Sequence, residues 1–172
     1  MHQAGYRFVR YADDFVILCP TPDQAKEALS LVQQVLDQRL KLQLSPEKTK
    51  VTSYGKGYSF LGFILSSRSR RMRPKSVQKF KDKIRELTAR KLNLDFALVV
   101  DLNRVIRGTA LYFATKFFTG RKRFIRLDSW IRMRLRCMKS KKKSAYDHLR
   151  LQNKVFDRLG LIRLVSFCDR WS

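Results

Sequence analysis

Tyr6-Arg7-Phe8-Val9-Arg10-Tyr11-Ala12-Asp13-Asp14-Phe15-Val16-Ile17-Leu18-Cys19 is the stretch on which the reading of this chain turns. Two strand-like runs, Tyr6 to Arg10 and Phe15 to Cys19, flank two adjacent carboxylates. Neighbouring side chains of a regular strand point to opposite faces, so Asp13 and Asp14 can serve one site only if the backbone turns between them. A hairpin tip supplies that turn. Two anions this close repel, and each raises the other's proton affinity unless a cation sits nearby. Mg2+ is the natural cation, because it is held by hard oxygen ligands, through one or two carboxylates plus substrate phosphates. The other reading is local: Asp is common in turns because its side chain hydrogen-bonds the backbone. The hairpin by itself leaves both readings open.

Outward from the hairpin, Thr21-Pro22-Asp23 reads as a helix start, with Thr21 as cap and Pro22 at the first helical position. Ala25, Leu29, Val32 and Leu36 follow at helical spacing, which predicts a helix near Pro22 to Arg39 with one face on a sheet. Leu40 to Leu44 reads as extended and Ser45-Pro46-Glu47-Lys48 as a turn. Lys50 to Tyr54, Tyr58 to Leu65 and a short piece around Arg71 to Arg73 read as strands. Beyond Pro74 the period changes from two to about three and a half. Val77, Phe80, Ile84 and Leu87 mark one helix; Leu98, Leu102, Val105, Thr109 and Phe113 mark a second. Phe124, Asp128, Ile131, Leu135 and Met138 mark a third, in which only Asp128 breaks the apolar register. Leu149, Val155, Leu159, Ile162 and Val165 suggest one or two short helices broken near Gly160. Gly120 is the expected stop of the second helix, while Gly108 lies inside it at a cost of about 1 kcal/mol relative to Ala unless close packing compensates. The expected fold class is α+β, with an α-helical bundle in the second part.

The 172 residues are 44% apolar, enough for a packed core in one domain or two small ones. Net charge is +24, an excess that points to a polyanionic partner rather than a neutral metabolite. The excess is uneven: Met1 to Arg73 carries 12 basic and 6 acidic residues, Pro74 to Ser172 carries 26 and 8. The second part is thus the main electrostatic surface. An anionic membrane is the rival partner, but no apolar run approaches transmembrane length, and Met1 to Gly5 has no secretory pattern. Cys19, Cys137 and Cys168 are odd in number and widely spaced, which argues against a disulfide framework and a zinc site and fits a reducing cytoplasm. His2 and His148 have neither metal-ligand spacing nor a nucleophile partner, and both read as surface or structural residues.

Three further stretches bear on the Asp pair. Leu42-Gln43-Leu44-Ser45-Pro46-Glu47-Lys48-Thr49-Lys50 comes first, then Phe60-Leu61-Gly62-Phe63. Leu102 to Gly108 with Tyr112-Phe113 and Leu127-Asp128-Ser129-Trp130-Ile131 comes last. Together with Tyr11 to Asp14, in this order, they resemble the carboxyl-terminal half of a group II intron-encoded reverse transcriptase and maturase. Any one of these motifs is weak; four in sequence at suitable spacing are specific.

The resemblance implies a partial polymerase palm over residues 1–73, made of antiparallel hairpins and one packed helix. A basic helical thumb or maturase-specific bundle is implied over 74–172. It makes Asp13 and Asp14 the ligands of catalytic Mg2+ and places Tyr11 and Ala12 beside the primer terminus and incoming nucleotide. Lys48 becomes the acid that protonates the leaving pyrophosphate, against the plainer reading of a solvated turn lysine. Phe60, Leu61, Gly62 and Phe63 match the hairpin that steadies the primer, where Gly62 lets a backbone come close; the plainer reading is an ordinary apolar strand. The implied partners are intron RNA, an RNA template and a DNA primer. Arg121, Lys122, Arg123, Arg126, Arg132, Arg134 and Arg136 are expected to track phosphate, with Arg132 and Arg136 on one helix face. Lys139, Lys141, Lys142 and Lys143 are expected to form a flexible basic loop with the same partner.

The family's centre also takes a metal-binding aspartate from a strand upstream of the hairpin. Ten residues precede Tyr11 and none is acidic. The expectation is therefore a chain inactive alone as a polymerase, awaiting an amino-terminal half. It is read as a fragment, a split-enzyme piece or a remnant that keeps RNA binding. The paired cysteines of the family's optional nuclease domain are not found, so DNA cleavage is not expected. A non-catalytic maturase-like RNA-binding protein is the competing reading, and an unselective basic structural protein the third.

Overall fold

The computed structural model describes residues 5–89, 92–140 and 151–171. The fold is mixed α and β, with small antiparallel sheets and several helices. The chain divides into two compact units: Met1–Phe60 with Leu65–Arg68, and Leu61–Ile64 with Ser69–Ser172.

In the first unit, β1 (Arg7–Tyr11) and β2 (Asp14–Leu18) pair antiparallel, with Phe8 opposite Ile17, Val9 opposite Val16 and Tyr11 opposite Asp14. Helix α1 (Pro22–Val35) starts as its sequence dictates: Pro22 occupies the first turn, and Thr21 Oγ1 accepts the Gln24 N–H at 3.3 Å. Its last residues widen into a π-helical turn, Leu36–Leu40, closed by Lys41 at φ +51°. Ala28 and Val32 are the buried positions of α1, which lies against β2. They are also the only fully buried apolar side chains among the described residues of this unit, while Val9, Tyr11, Leu18, Leu40, Leu42, Val51 and Tyr54 are exposed. Burying a Val, Leu or Phe stabilises by about 1.5–3 kcal/mol, so this unit draws little stability from its own interior.

The expected strand Lys50 to Tyr54 is not a strand, and Leu40 to Leu44 does not enter a ladder either. Alternating apolar residues suit a strand, but only a paired neighbour makes one, and no sheet among the described residues takes these segments up. Tyr58 to Leu65 is two strands rather than one: β3 (Tyr58–Phe60) and β4 (Phe63–Ser66) are joined by the turn Leu61–Gly62. A third strand, β5 (Ser69–Met72), completes a sheet ordered β3-β4-β5.

The second unit holds the main core. Helices α2 (Pro74–Leu87), α3 (Phe96–Phe113) and α4 (Arg121–Ser140) bury the stripes their periodicity marks. Ile84, Leu102, Ile106, Phe124 and Leu135 are fully enclosed, as are Phe156 and Leu164 from the short helix α5 (Asn153–Arg158) and the segment after it. Gly160, at φ +77°, separates α5 from a 3-10 turn, Val165–Trp171. Helix α3 stops at Phe113 rather than at Gly120, which instead precedes α4. None of the described helices is long and apolar enough to cross a membrane.

Candidate functional site

The acidic pair sits at the tip of the β1-β2 hairpin. Ala12 and Asp13 form a two-residue turn, and Asp14 is the first residue of β2. Ala12 takes φ +50°, a left-handed conformation that primed hairpin turns demand and that Gly or Asn adopts more easily. The turn is tied by Arg10, whose Nε donates to the Ala12 carbonyl at 2.8 Å. Tyr11, Ala12, Asp13 and Asp14 are all exposed, and among the described residues neither carboxylate makes an ion pair. Their oxygens are thus free to meet a hard cation. No group of three or more Asp, Glu, His or Cys suited to a metal exists among the described residues. Lys48 ends a separate exposed turn of this unit, where its N–H donates to the Ser45 carbonyl.

The Leu61-Gly62 turn is built from the inside. Leu61 and Gly62 have φ of +46° and +81°, the two positive values of a type I′ turn. Tyr112 donates its hydroxyl to the Leu61 carbonyl at 2.8 Å, while the Gly62 carbonyl accepts from Ser76 Oγ and from the Arg73 N–H. A Cβ on Gly62 would meet Ser76 Oγ at 3.1 Å and the Phe113 ring at 3.5 Å. Internal packing on α2 and α3 therefore already demands this glycine. Phe63 joins the same aromatic cluster, 4.8 Å from Phe113 and 5.6 Å from Tyr112 between ring centres; Phe60, in the first unit, is half-buried. Beside the turn lies an open groove of about 470 Å3, floored by Phe80, Val105 and Phe113 and flanked by the exposed Lys79 and Lys83. Sequence reading gave no role to Ser76, Lys79 and Lys83 and took Tyr112 only as part of a motif; the i, i+4 lysine pair of α2 was the visible signal.

The arginines of α4 divide in two. Lys122, Arg123, Arg126 and Lys139 are exposed, and Arg121 is exposed but pairs with Asp169. The other three make contacts inside the second unit. Arg132, with 6% of its side chain exposed, pairs with Asp157 at 3.4 Å. Arg134 donates to the Thr88 carbonyl at 2.8 Å, to Thr88 Oγ1 at 3.1 Å and to the Arg85 carbonyl at 3.4 Å, so it caps the carboxyl end of α2. Arg136 donates to the Leu151 carbonyl and to Asn153 Oδ1 and lies over the Phe156 ring. Lys141, Lys142 and Lys143 lie outside the described residues.

Asp128, the residue that broke the apolar stripe, is also structural. Its two carboxylate oxygens accept the N–H groups of Leu164 and Val165 at 2.8 and 3.1 Å, which fixes the start of the final 3-10 turn. Burial pushes its carboxyl above the ordinary value; the two backbone bonds and the charges of Arg132 and Arg163 act in the opposite direction without cancelling it. For Asp157 burial also works against the charge, but bonds and charges from Arg163 and Arg132 outweigh it and hold the carboxyl below its usual range.

Two family models match the chain. Residues 1–65 match the reverse transcriptase (RNA-dependent DNA polymerase) family, and residues 77–155 match the group II intron, maturase-specific domain. No curated protein matches the chain. The first match contains the acidic hairpin and Lys48, the second contains α3, α4 and the basic surface. A polymerase portion followed by a maturase portion is the arrangement that the four motifs implied, and the chain belongs to the group II intron reverse transcriptase and maturase family.

Proposed function

We propose that this chain supplies the metal-binding tip and the nucleic-acid grip of an intron-type RNA-directed DNA polymerase, with residues 1–73 as palm and 74–172 as thumb and maturase-specific region. The observation that carries the reading is the tip: two adjacent, exposed, unpaired carboxylates inside the reverse transcriptase match. The pair fits Mg2+ in kind, since that ion keeps several waters and takes one or two carboxylates plus substrate phosphates. When bound there, it would stabilise the charge that develops on phosphoryl oxygens during in-line displacement. Asp13 and Asp14 hold the ion, Tyr11 and Ala12 border the primer end and incoming nucleotide, and Lys48 gives a proton to the leaving pyrophosphate. Phe60, Leu61, Gly62 and Phe63 steady the primer strand. Two carboxylates are fewer ligands than two-metal chemistry uses, so in this reading a separate upstream palm fragment supplies the further aspartate. The exposed apolar side chains of the first unit support the same reading, because few of its apolar residues are buried in an interior of its own.

The test is complementation. A separate fragment carrying fingers and the remaining palm is added to the full chain, and extension of a DNA primer on RNA is followed with Mg2+. Extension that disappears in Asp13→Ala and in Asp14→Ala supports the polymerase reading; no extension from any such pairing sinks it. A second reading, a maturase-like protein that aids intron folding and splicing without catalysis, is favoured by the concentration of core and charge beyond Pro74. Its mark is tight, salt-sensitive intron RNA binding that both Asp variants retain, together with failed complementation.

A further inference from the structure

We propose that the Phe117 ring, with the Arg70 guanidinium beside it, is a stacking site for one unpaired nucleotide of RNA. Phe117 and Phe118 are neighbours in the loop between α3 and α4, yet they do opposite things. Phe118 turns inward, 4.7 Å from the Phe124 ring, and Phe117 leaves 64% of its surface in solvent. A lone exposed apolar side chain is ordinary and calls for no explanation. Three further observations set this one apart.

The first is the partner: the Arg70 guanidinium carbon lies 5.3 Å from the Phe117 ring centre, a cation and an aromatic plane combined in one surface. The second is rigidity. The Thr119 N–H donates to the Arg70 carbonyl at 2.9 Å, and the Arg70 N–H donates to Thr119 Oγ1 at 3.1 Å. This reciprocal pair ties Thr119, two residues after Phe117, to β5 at Arg70, and the Phe118 N–H closes a turn on the Thr115 carbonyl. The ring is therefore presented in one place before any ligand arrives, which lowers the ordering cost of binding. The third is charge. Ser69–Lys75 and Thr115–Leu127, the two segments joined here, carry four and five basic residues and no acidic one. Asp169 reaches in from elsewhere to pair with Arg121.

A fixed aromatic plane in a cationic surface matches an unpaired base with its phosphates: the base stacks on the ring and the flanking phosphates meet Arg71, Lys116 and their neighbours. A base-paired helix offers no free π-face to such a ring. The inference rests on the reading of the chain as RNA-binding, but it goes further in assigning a residue and a class of RNA element.

The full chain is titrated with a short oligouridylate carrying one 2-aminopurine and, separately, with a hairpin RNA lacking unpaired stem bases. Stacking is expected to quench the 2-aminopurine. Phe117→Ala is expected to weaken single-strand binding about 5- to 100-fold. The slope of log K on log salt stays unchanged, because no charge is removed. Phe117→Trp keeps the affinity and Phe117→Leu does not. Hairpin binding is unaffected by all three, and because the ring is exposed, far-ultraviolet circular dichroism is unchanged as well. Single-strand affinity within about twofold of the parent in Phe117→Ala overturns the stacking site, as does Leu performing as well as Trp; either result leaves RNA binding itself intact. If the parent chain binds neither RNA, both the stacking site and the RNA-binding reading fall.

Discussion

Replacing Asp128 tests whether a charge in the apolar stripe of α4 serves the fold. Asp128 is 5% exposed and receives two backbone N–H groups, one of them from Leu164, which is fully enclosed. Asp128→Ala strands those donors. The buried one costs about 1–3 kcal/mol and the half-buried one less, and the neighbouring Arg132 loses one of two nearby carboxylates. Relief of the buried charge offsets part of this, so the expected loss is about 2–4 kcal/mol. Asp128→Asn keeps one acceptor and sheds the charge, and is expected to lose only about 1 kcal/mol. Urea unfolding followed by tryptophan fluorescence is the assay, because both tryptophans, Trp130 and Trp171, belong to the second unit.

The pH dependence sharpens the test. Because the folded-state pKa of Asp128 is raised, its contribution favours the folded form most at pH below the unfolded value and is lost as pH rises through the folded value. The parent chain should therefore gain on Asp128→Asn as pH falls from neutral toward about 4. Asp157, held low, acts in the opposite sense, and subtracting the Asn variant removes it from the comparison. A loss below about 0.5 kcal/mol in Asp128→Ala, or a difference curve of opposite slope, would refute the reasoning.

Three further predictions concern the glycines, a capping arginine and the exposed basic face of α4. A Cβ at Gly108 meets nothing within 4 Å, whereas Gly62 has φ +81° and Ser76 Oγ at 3.1 Å from its added Cβ; Gly108→Ala should stabilise by about 0.5–1 kcal/mol and Gly62→Ala should destabilise by about 1–2 kcal/mol in the same urea assay. Arg134→Met should lower stability by about 1.5–3 kcal/mol with RNA affinity unchanged. The double variant Lys122→Gln/Arg126→Gln should leave stability unchanged and reduce the salt slope of RNA binding by about 2.

The sequence by itself determined whatever depends on local pattern. The hairpin around Ala12 and Asp13 follows from two apolar runs meeting at a turn, and α1 follows from a Thr cap before Pro22. The three long helices follow from 3.6-residue spacing. The mixed fold class and the family were readable for the same reason, since motif order is a property of the chain. Partners distant in sequence were not readable. Lys50 to Tyr54 has a strand's composition but no ladder, because a strand exists only through its neighbour. Gly62 was expected to let a backbone come close; that Ser76 and Phe113 pack beside it was not legible in the sequence. Arg132, Arg134 and Arg136 read as a cationic surface; only the packed unit decided that one pairs with Asp157, one caps α2 and one holds α5. A guanidinium is equally suited to phosphate, carboxylate and the bare carbonyls of a helix end. Which of these it meets is set by the elements brought beside it in three dimensions.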